Sequence, residues 1–339
     1  GEDLANRNLG PFMMQLSTQE LGGADGIYPE LLELGRYEES LRFLPLSFDL
    51  PAVISQRGSL PHSEVPLISV EELRAAGERF NRFEGGRYVA MGFSPLWDTR
   101  FLLAWAELAG TEFTEIRELQ VAWDQAALES VIEEATAWRV ETNGGDEAAV
   151  AFEEQYLYDP TEKLLRRGRI GFAYTTGAAF LSLPDTRTEE MEFRWLNGPD
   201  GVPVLPEIVF AALPNRTEHR RGAMQFLSWL LSPEAQGEAM RAALDRRIDS
   251  FGFLDGFSTV ERVNREIVPE VYPALFGSVP PRSRLDFPQR TPLNWTNVEE
   301  EVVAPWLERS IRANSDPEAA PMPGDLGSAI ESWYRARGL

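Results

Sequence analysis

The sequence predicts an α/β protein of roughly two domains. Its 339 residues match the length of about two domains of ordinary size. Short apolar runs typical of buried strands alternate with stretches of helical spacing. The clearest example is residues 169–180, where an apolar run breaks at Thr175, Thr176 and Gly177 and then resumes. Strands that alternate with helices indicate the α/β class.

The composition argues against several classes of partner. Hydrophobic residues make up 43% of the chain, as in globular proteins. The chain has 32 lysines and arginines and 54 acidic residues, which gives a formal net charge of −22. A polyanion repels nucleic-acid backbones and anionic lipid surfaces. The net charge therefore disfavours binding to nucleic acids and to membrane surfaces.

The chain also lacks the residues of several catalytic and metal sites. It has no cysteine, and its only histidines are His62 and His219. Neither a phosphate-binding loop nor a nucleophile motif such as G-x-S-x-G occurs. We therefore expect no catalytic residues, no metal site and no cofactor.

The junction at Thr175 and Thr176 has two interpretations. A helix that follows a strand directly begins with N–H groups that have no partner inside the helix. Together with the threonine hydroxyls, these groups form a docking edge for a polar ligand. Alternatively, the threonines cap the helix, which is the usual role of such residues.

An acidic residue interrupts the apolar run at 41–54. Two strands are predicted here, separated by residues 47–49. Asp49 lies among apolar residues and needs either solvent or a polar partner. It is a turn residue or it faces a ligand.

A second junction of the same kind follows at residues 94–100. Ser69 and Glu72 form a capping box that opens a helix, and an apolar strand is predicted at 88–93. A turn with Trp97 and a helix from about Arg100 come next. The spacing of residues 128–138 places Trp138 in the core.

The remaining chain continues the pattern of strands and helices. A helix begins at Pro160, and strands are predicted at 191–195 and 202–213. Phe226 is assigned to the buried face of the next helix, and Ser232 caps the one that follows it. Three more helices are predicted: one at 258–276, one that opens at Asn297 and one near the C-terminus.

Several stretches resemble the family 1 extracellular solute-binding proteins of bacterial ABC importers, the group that includes the maltodextrin-binding proteins. The strand at 170–174 followed by Thr-Thr-Gly is one, and the run PNRTEHRRGAMQFLSWLLSPEAQ at 214–236 is another, whose part from Phe226 to Gln236 is the most specific. Residues 43–49 resemble the family's first crossover between lobes. Residues 287–295 resemble the late segment that places a tryptophan in the sugar cleft.

The resemblance implies a periplasmic-binding-protein-like fold, with two α/β lobes, a hinge and an interlobe cleft. Lobe one would hold residues 1–48 and 209–280, and lobe two would hold 49–208 and 281–339. Only ten residues precede Pro11, so the family's first strand-helix-strand unit of lobe one is expected to be missing. The glycine at position 1 indicates that a segment upstream was removed.

The same resemblance implies a sugar site. A sugar offers apolar C–H faces and a rim of hydroxyls, so a site needs aromatic surfaces and carboxylates. The expected ligand-binding residues are Asp49, Trp97, Asp98, Thr99, Tyr174, Thr175, Thr176, Glu207 and Trp295. Trp295 is alternatively a core or rim residue.

The expected function is the capture of a sugar or oligosaccharide and its delivery to a membrane permease. The protein would be a periplasmic or extracellular monomer, anchored or not by a lipid through a removed N-terminal segment. The alternative is a glycoside hydrolase, because paired carboxylates and tryptophans also describe glycosidase clefts. A third hypothesis is a family member that acts as a receptor subunit or scaffold without a transport role.

Overall fold

The computed structural model describes residues 9–60, 65–117, 120–316, 318 and 321–338. His62 lies outside the described residues. The helices are α1 (Pro29–Leu34), α2 (Val70–Phe80), α3 (Thr99–Leu108), α4 (Gln125–Ala137), α5 (Asp146–Tyr156), α6 (Thr161–Arg166), α7 (Gly177–Leu181), α8 (Asp185–Thr188), α9 (Arg220–Leu230), α10 (Pro233–Asp245), α11 (Val268–Val271), α12 (Trp295–Val298), α13 (Ala304–Ser315) and α14 (Leu326–Ala336). None of them is long and apolar enough to cross a membrane.

The strands are short and occur in runs of one to five between the helices. They are β1 (Arg36–Tyr37), β2 (Ser40–Leu41), β3 (Leu44–Phe48), β4 (Pro51–Gln56), β5 (Leu67–Ile68), β6 (Arg82–Glu84), β7 (Arg87–Ala90), β8 (Thr114–Arg117), β9 (Gln120–Ala122), β10 (Phe172–Thr176), β11 (Met191–Leu196), β12 (Val202–Pro203), β13 (Val209–Ala211), β14 (Phe257–Ser258) and β15 (Leu285–Asp286). The predicted α/β class is confirmed.

The chain folds into two compact units. Unit 1 comprises Gly1–Pro51, Thr176–Pro184 and Val204–Arg290; unit 2 comprises Ala52–Thr175, Asp185–Pro203 and Thr291–Leu339. The sequence places residues 176–184 in lobe two, whereas their contacts group them with unit 1. The lobe bounds derived from the sequence stay a prediction.

Unit 1 is organised around a three-stranded antiparallel sheet in the order β13-β3-β14. All five residues of the central strand β3 are buried, as its nearly continuous apolar sequence requires. The Phe48 ring packs edge-on against Tyr28 at 5.8 Å and at a tilt of 31° against Phe257 at 5.9 Å. These aromatic contacts fix the end of β3, which leads directly into Asp49.

Unit 2 contains a four-stranded mixed sheet in the order β10-β4-β11-β5. Strand β11 pairs antiparallel with β4 and parallel with β5. Helices α3 and α4 contribute to one continuous hydrophobic core with α13 and α14. Trp138 is fully buried in this core, as its helical spacing predicted.

The capping predictions hold, and one burial prediction fails. Ser69 and Glu72 form the capping box of α2, and the Ser232 side chain accepts from the N–H of Ala235 at the start of α10. Phe226, in contrast, is 56% exposed. The prediction that it is buried is wrong, because its ring lies on the outer face of α9 and stacks on Trp229 at 5.7 Å.

Candidate functional site

The first of the two predicted junctions lies in unit 1, where Asp49 meets the start of α7. The Asp49 Oδ1 atom accepts from the backbone N–H of Leu50 at 2.8 Å and of Ala178 at 2.9 Å. The backbone carbonyl of Asp49 accepts from the N–H of Leu205 at 3.0 Å. Asp49 therefore ties together three segments that are distant in the sequence.

The first N–H groups of α7 all have partners inside unit 1. Gly177 donates to the carbonyl of Leu50 at 2.8 Å, and Ala178 donates to Asp49. Ala179 donates to Oγ1 of Thr176 at 3.2 Å. The expectation of uncommitted N–H groups at this helix start is wrong, because the neighbouring segment at 49–50 supplies their acceptors. The alternative, that Thr176 caps the helix, is confirmed.

Burial raises the pKa of Asp49 to about 6. Its hydrogen bonds to Thr176, Ala178 and Leu50 oppose this rise and lower the pKa. Desolvation is the larger effect, since removing a carboxylate from water penalises its charged form. The carboxyl group accepts hydrogen bonds from the protein's own backbone, although burial disfavours its charged form.

The second junction lies in unit 2 and begins with a 3₁₀ turn at Pro95–Trp97. Asp98 caps α3, and its Oδ1 accepts from the N–H of Arg100 at 2.9 Å. The Arg100 side chain returns to the same carboxylate, with Nη2 and Oδ2 2.6 Å apart. The Asp98 side chain remains 22% exposed and that of Arg100 63% exposed, so this junction faces solvent.

Trp97 is a half-buried aromatic side chain at the second junction. Its ring stacks on Phe152 with centroids 5.9 Å apart and an angle of 18° between the planes. Phe93 contacts it edge-on at 5.8 Å. The ring is held by aromatic neighbours and still reaches the surface, as a carbohydrate platform must.

Tyr174 and Trp295 lie in the hydrophobic core of unit 2. Tyr174 is 7% exposed and packs edge-on against Phe101 at 5.8 Å. Trp295 is 4% exposed and contacts Phe113 at 4.7 Å. These positions match the core alternative for Trp295, and the ligand-binding role of both residues stays a prediction.

The other predicted residues are more accessible. Thr99 and Thr175 are half-buried, and Glu207 is exposed. Within unit 1 the structure brings Asp49 and Thr176 together; within unit 2 it brings Trp97, Asp98 and Thr99 together at one helix start. The guanidinium of Arg100 lies 6.0 Å from the centroid of the Tyr174 ring.

Arg100 is a residue that the sequence analysis did not select. It lies next to Asp98 and Tyr174 and presents an exposed cation. The signal was available, since an arginine two positions after a helix-capping aspartate is well placed to pair with it. A guanidinium beside a carboxylate suits the alternating donors and acceptors of a polyol.

Two other features of the described residues bear on the site. Unit 1 carries a surface depression of about 640 Å³ lined by residues between Thr18 and Arg36. It contains none of the nine predicted ligand residues, and its Arg36 is already paired with Glu33 at 2.8 Å. The described residues contain no group of three or more His, Asp or Glu side chains arranged to hold a metal ion.

Comparison with known proteins rests on structure, because sequence comparison found nothing. No protein-family model matches the chain, and no curated protein matches it significantly. The sugar-binding protein MalE of Xanthomonas citri superposes with a TM-score of 0.67 and 12% identity, covering 100% of this chain and 83% of that one. A sugar transporter of Rhizobium etli in an open conformation superposes with a TM-score of 0.65 and 15% identity, covering 97% of this chain and 82% of that one.

A third structure, the maltose-binding periplasmic protein MalE of Listeria monocytogenes in complex with maltose, gives a TM-score of 0.63 and 12% identity, covering 99% of this chain and 83% of that one. Likeness over nearly the whole chain decides the fold. This chain has the fold of the ABC-importer solute-binding proteins. The fold predicted from the sequence resemblance is thereby confirmed. The expected absence of a first strand-helix-strand unit within this solute-binding-protein fold stays a prediction.

Proposed function

We propose that this protein is the substrate-binding component of an ABC transporter, which captures a sugar or oligosaccharide and delivers it to a permease. The observation that supports this most is the solute-binding-protein fold, which the chain shares over its whole length with sugar-binding proteins. One of these was solved with maltose bound. The proposed partners are therefore a small carbohydrate and a membrane permease.

The second junction supplies suitable chemistry for a sugar. Trp97 offers an aromatic surface, Asp98 an acceptor and Arg100 a donor, all at the start of α3. Sugar sites combine a flat aromatic ring with a few polar groups that bind hydroxyls. We propose Trp97, Asp98 and Thr99 as ligand contacts, together with the half-buried Thr175 and the exposed Glu207.

Asp49 and Thr176 fit an internal role better than a ligand role. Their acceptors are engaged by the N–H groups of Leu50, Ala178 and Ala179. Binding a hydroxyl with the same atoms would leave buried backbone donors without a partner. We therefore propose that these two residues shape unit 1 and do not contact the solute.

The raised pKa of Asp49 is the observation that favours the alternative function, a glycoside hydrolase. A carboxyl group with a pKa near 6 is what a general acid needs at neutral pH. However, a general acid must reach the glycosidic oxygen, and Asp49 is held by the protein's own N–H groups. The second junction's carboxylate, Asp98, is paired with Arg100, so neither carboxylate resembles a free catalytic group.

A panel of mono- and oligosaccharides tests the proposal. We expect at least one member to raise the melting temperature, to change tryptophan fluorescence and to bind with micromolar or tighter affinity. The same mixtures, incubated and analysed by chromatography, should contain unchanged sugar. No binding across the panel would contradict sugar capture, and a released product would favour the hydrolase.

The location follows from the proposed role. A protein that delivers solutes to an importer works in the periplasm or outside the cell, so we propose one of these compartments. Cell fractionation with an antibody against the protein tests this placement, and recovery in the cytoplasmic fraction would contradict it. Detergent phase partitioning of the native protein tests the predicted lipid anchor.

A further inference from the structure

Unit 2 carries a cluster of arginines in a chain that is otherwise strongly acidic. The cluster, which we call the arginine patch, comprises the end of α2, the β6–β7 hairpin and the turn that follows α6. Its members are Arg79, Arg82, Arg87, Arg166, Arg167 and Arg169. None of them belongs to the proposed sugar site.

Hydrogen bonds hold the hairpin and the turn together. The Arg82 Nη2 atom donates to the carbonyl of Gly168 at 3.2 Å. The Arg169 Nη1 atom donates to the carbonyl of Val89 at 2.9 Å. The two segments lie about 80 residues apart in the sequence, and together they form one continuous surface.

Much of the positive charge in the arginine patch is not neutralised. Arg79, Arg87 and Arg166 are exposed and form no hydrogen bond or ion pair with any residue in the described part of the chain. Arg167 is the exception, since it pairs with Asp159 at 3.0 Å. Their solvated guanidinium groups are bonded to no described residue and remain available to an external anion.

Exposed aromatic side chains accompany these arginines. Phe83 on β6 is 60% exposed, and its ring meets Tyr88 edge-on at 5.2 Å. Tyr158, in the turn before α6, is 79% exposed. The hairpin that carries Phe83 closes through Gly85 and Gly86, both with positive φ, so its tip is narrow.

We propose that the arginine patch binds the surface of an anionic phospholipid membrane. The arginines are spread over a surface and do not converge on a pocket, which suits many phosphate groups better than one small anion. Phe83 and Tyr158 supply amphipathic or apolar contacts of the kind that enter the headgroup region. Basic residues next to such side chains add electrostatic attraction to anionic lipids.

The net charge of −22 does not oppose this binding at physiological salt. The Debye length there is about 8 Å, so a flat membrane attracts the nearby guanidinium groups while more distant carboxylates are screened. The charge of the whole chain, which disfavours membrane surfaces, hides this local excess of arginine.

Vesicle co-flotation with the full chain tests the proposal. We expect it to float with phosphatidylglycerol-rich vesicles and not with pure phosphatidylcholine vesicles at physiological salt. The triple variant Arg79→Glu, Arg87→Glu, Arg166→Glu should lower the affinity at least tenfold, since each basic residue contributes about fivefold. These side chains bond to no described residue, so folding should be retained, which circular dichroism checks.

A matched variant separates local from overall charge. Arg221→Glu, Arg246→Glu, Arg335→Glu changes the net charge equally at three exposed arginines outside the patch, and its binding should stay within about twofold of the wild type. Phe83→Ser should weaken binding with no change in charge. Equal loss in both triple variants, or equal flotation with both lipids, would overturn the proposal. So would binding to a single-stranded oligonucleotide without binding to vesicles.

Discussion

Two strand-to-helix junctions look alike in the sequence and differ in the structure. At the first junction β10 ends and α7 begins, and the first three N–H groups of the helix are bonded to Leu50, Asp49 and Thr176, all in unit 1. In unit 2, the turn at Trp97 runs into α3, and Asp98 shares its carboxylate with an exposed arginine. The first junction is an internal brace, whereas the second presents its polar groups to solvent.

The difference comes from a neighbouring segment and not from the junctions themselves. Asp49 lies 129 residues away from Ala178 in the chain, yet it supplies that helix's missing acceptor. Among the described residues, the Asp98 side chain is hydrogen-bonded only to Arg100, its neighbour in the sequence. A polar residue at a helix start is therefore available to a ligand only where the fold leaves its acceptors unused.

The largest expected effect comes from removing the brace. At pH 4, where the Asp49 carboxyl group is largely protonated in the folded state, Asp49→Ala should lower the free energy of unfolding by about 4 kcal/mol, because two N–H groups lose their acceptor. Urea denaturation at pH 4 measures it. Asp49→Asn keeps an acceptor oxygen and removes the charge, so it should be at least as stable as the wild type. Equal losses in the two variants would contradict the brace.

The second effect is a pH dependence of stability. The folded pKa of Asp49 is about 6, against 3.8 for the free residue, so the folded state binds the proton more tightly. Stability is then greatest below pH 4 for this group and falls as the pH rises through 6, by about 3 kcal/mol. The Asp49→Asn variant should lack this fall.

Urea midpoints measured from pH 4 to pH 7 for the wild type and Asp49→Asn test the pH dependence. The gap between the two proteins should widen in favour of the asparagine variant as the pH rises. Parallel curves would mean that Asp49 has an ordinary pKa and is not buried as the structure places it.

A smaller effect is expected at the cap of the braced junction. Thr176→Ala removes the acceptor for Ala179 and the partner of Asp49, which should cost about 1.5 kcal/mol of unfolding free energy. Thr176→Ser keeps the hydroxyl and should recover most of it. If serine fails to do so, the methyl group and not the cap accounts for the loss.

The smallest effect is expected at the open junction. Asp98→Ala removes a capping side chain that is 22% exposed. Because water can replace part of the lost hydrogen bonding, the free energy of unfolding should fall by only about 0.7 kcal/mol. Thermal denaturation of the Asp98→Ala and Thr176→Ala variants compares the two losses of stability. A larger loss at Asp98 than at Thr176 would reverse the comparison of the two junctions.

Sequence patterns predicted the fold well because they record local chemistry. The capping box at Ser69, the core position of Trp138 and the strand-helix order all depend on residues near each other in the chain. The family resemblance added the connection between distant segments. The exposure of Phe226 was missed, because helical spacing identifies an apolar face without saying what covers it.

The candidate site was harder to predict, since availability depends on tertiary neighbours. Asp49 and Asp98 have the same side chain and similar positions, yet only the packing of residues 176–179 distinguishes them. Trp97 and Trp295 likewise differ in what surrounds them. Arg100 could have been selected from its spacing to Asp98, but its position beside the Tyr174 ring, which is remote in sequence, could not be predicted in this way.

Calorimetric titration of three proteins with the best sugar from the panel tests the account most directly. We expect Trp97→Ala to weaken binding at least tenfold, as loss of an aromatic contact does, and Asp49→Asn to bind within about twofold of the wild type. Unchanged binding by Trp97→Ala, with binding abolished in a folded Asp49→Asn, would contradict the assignment of the open junction as the solute site.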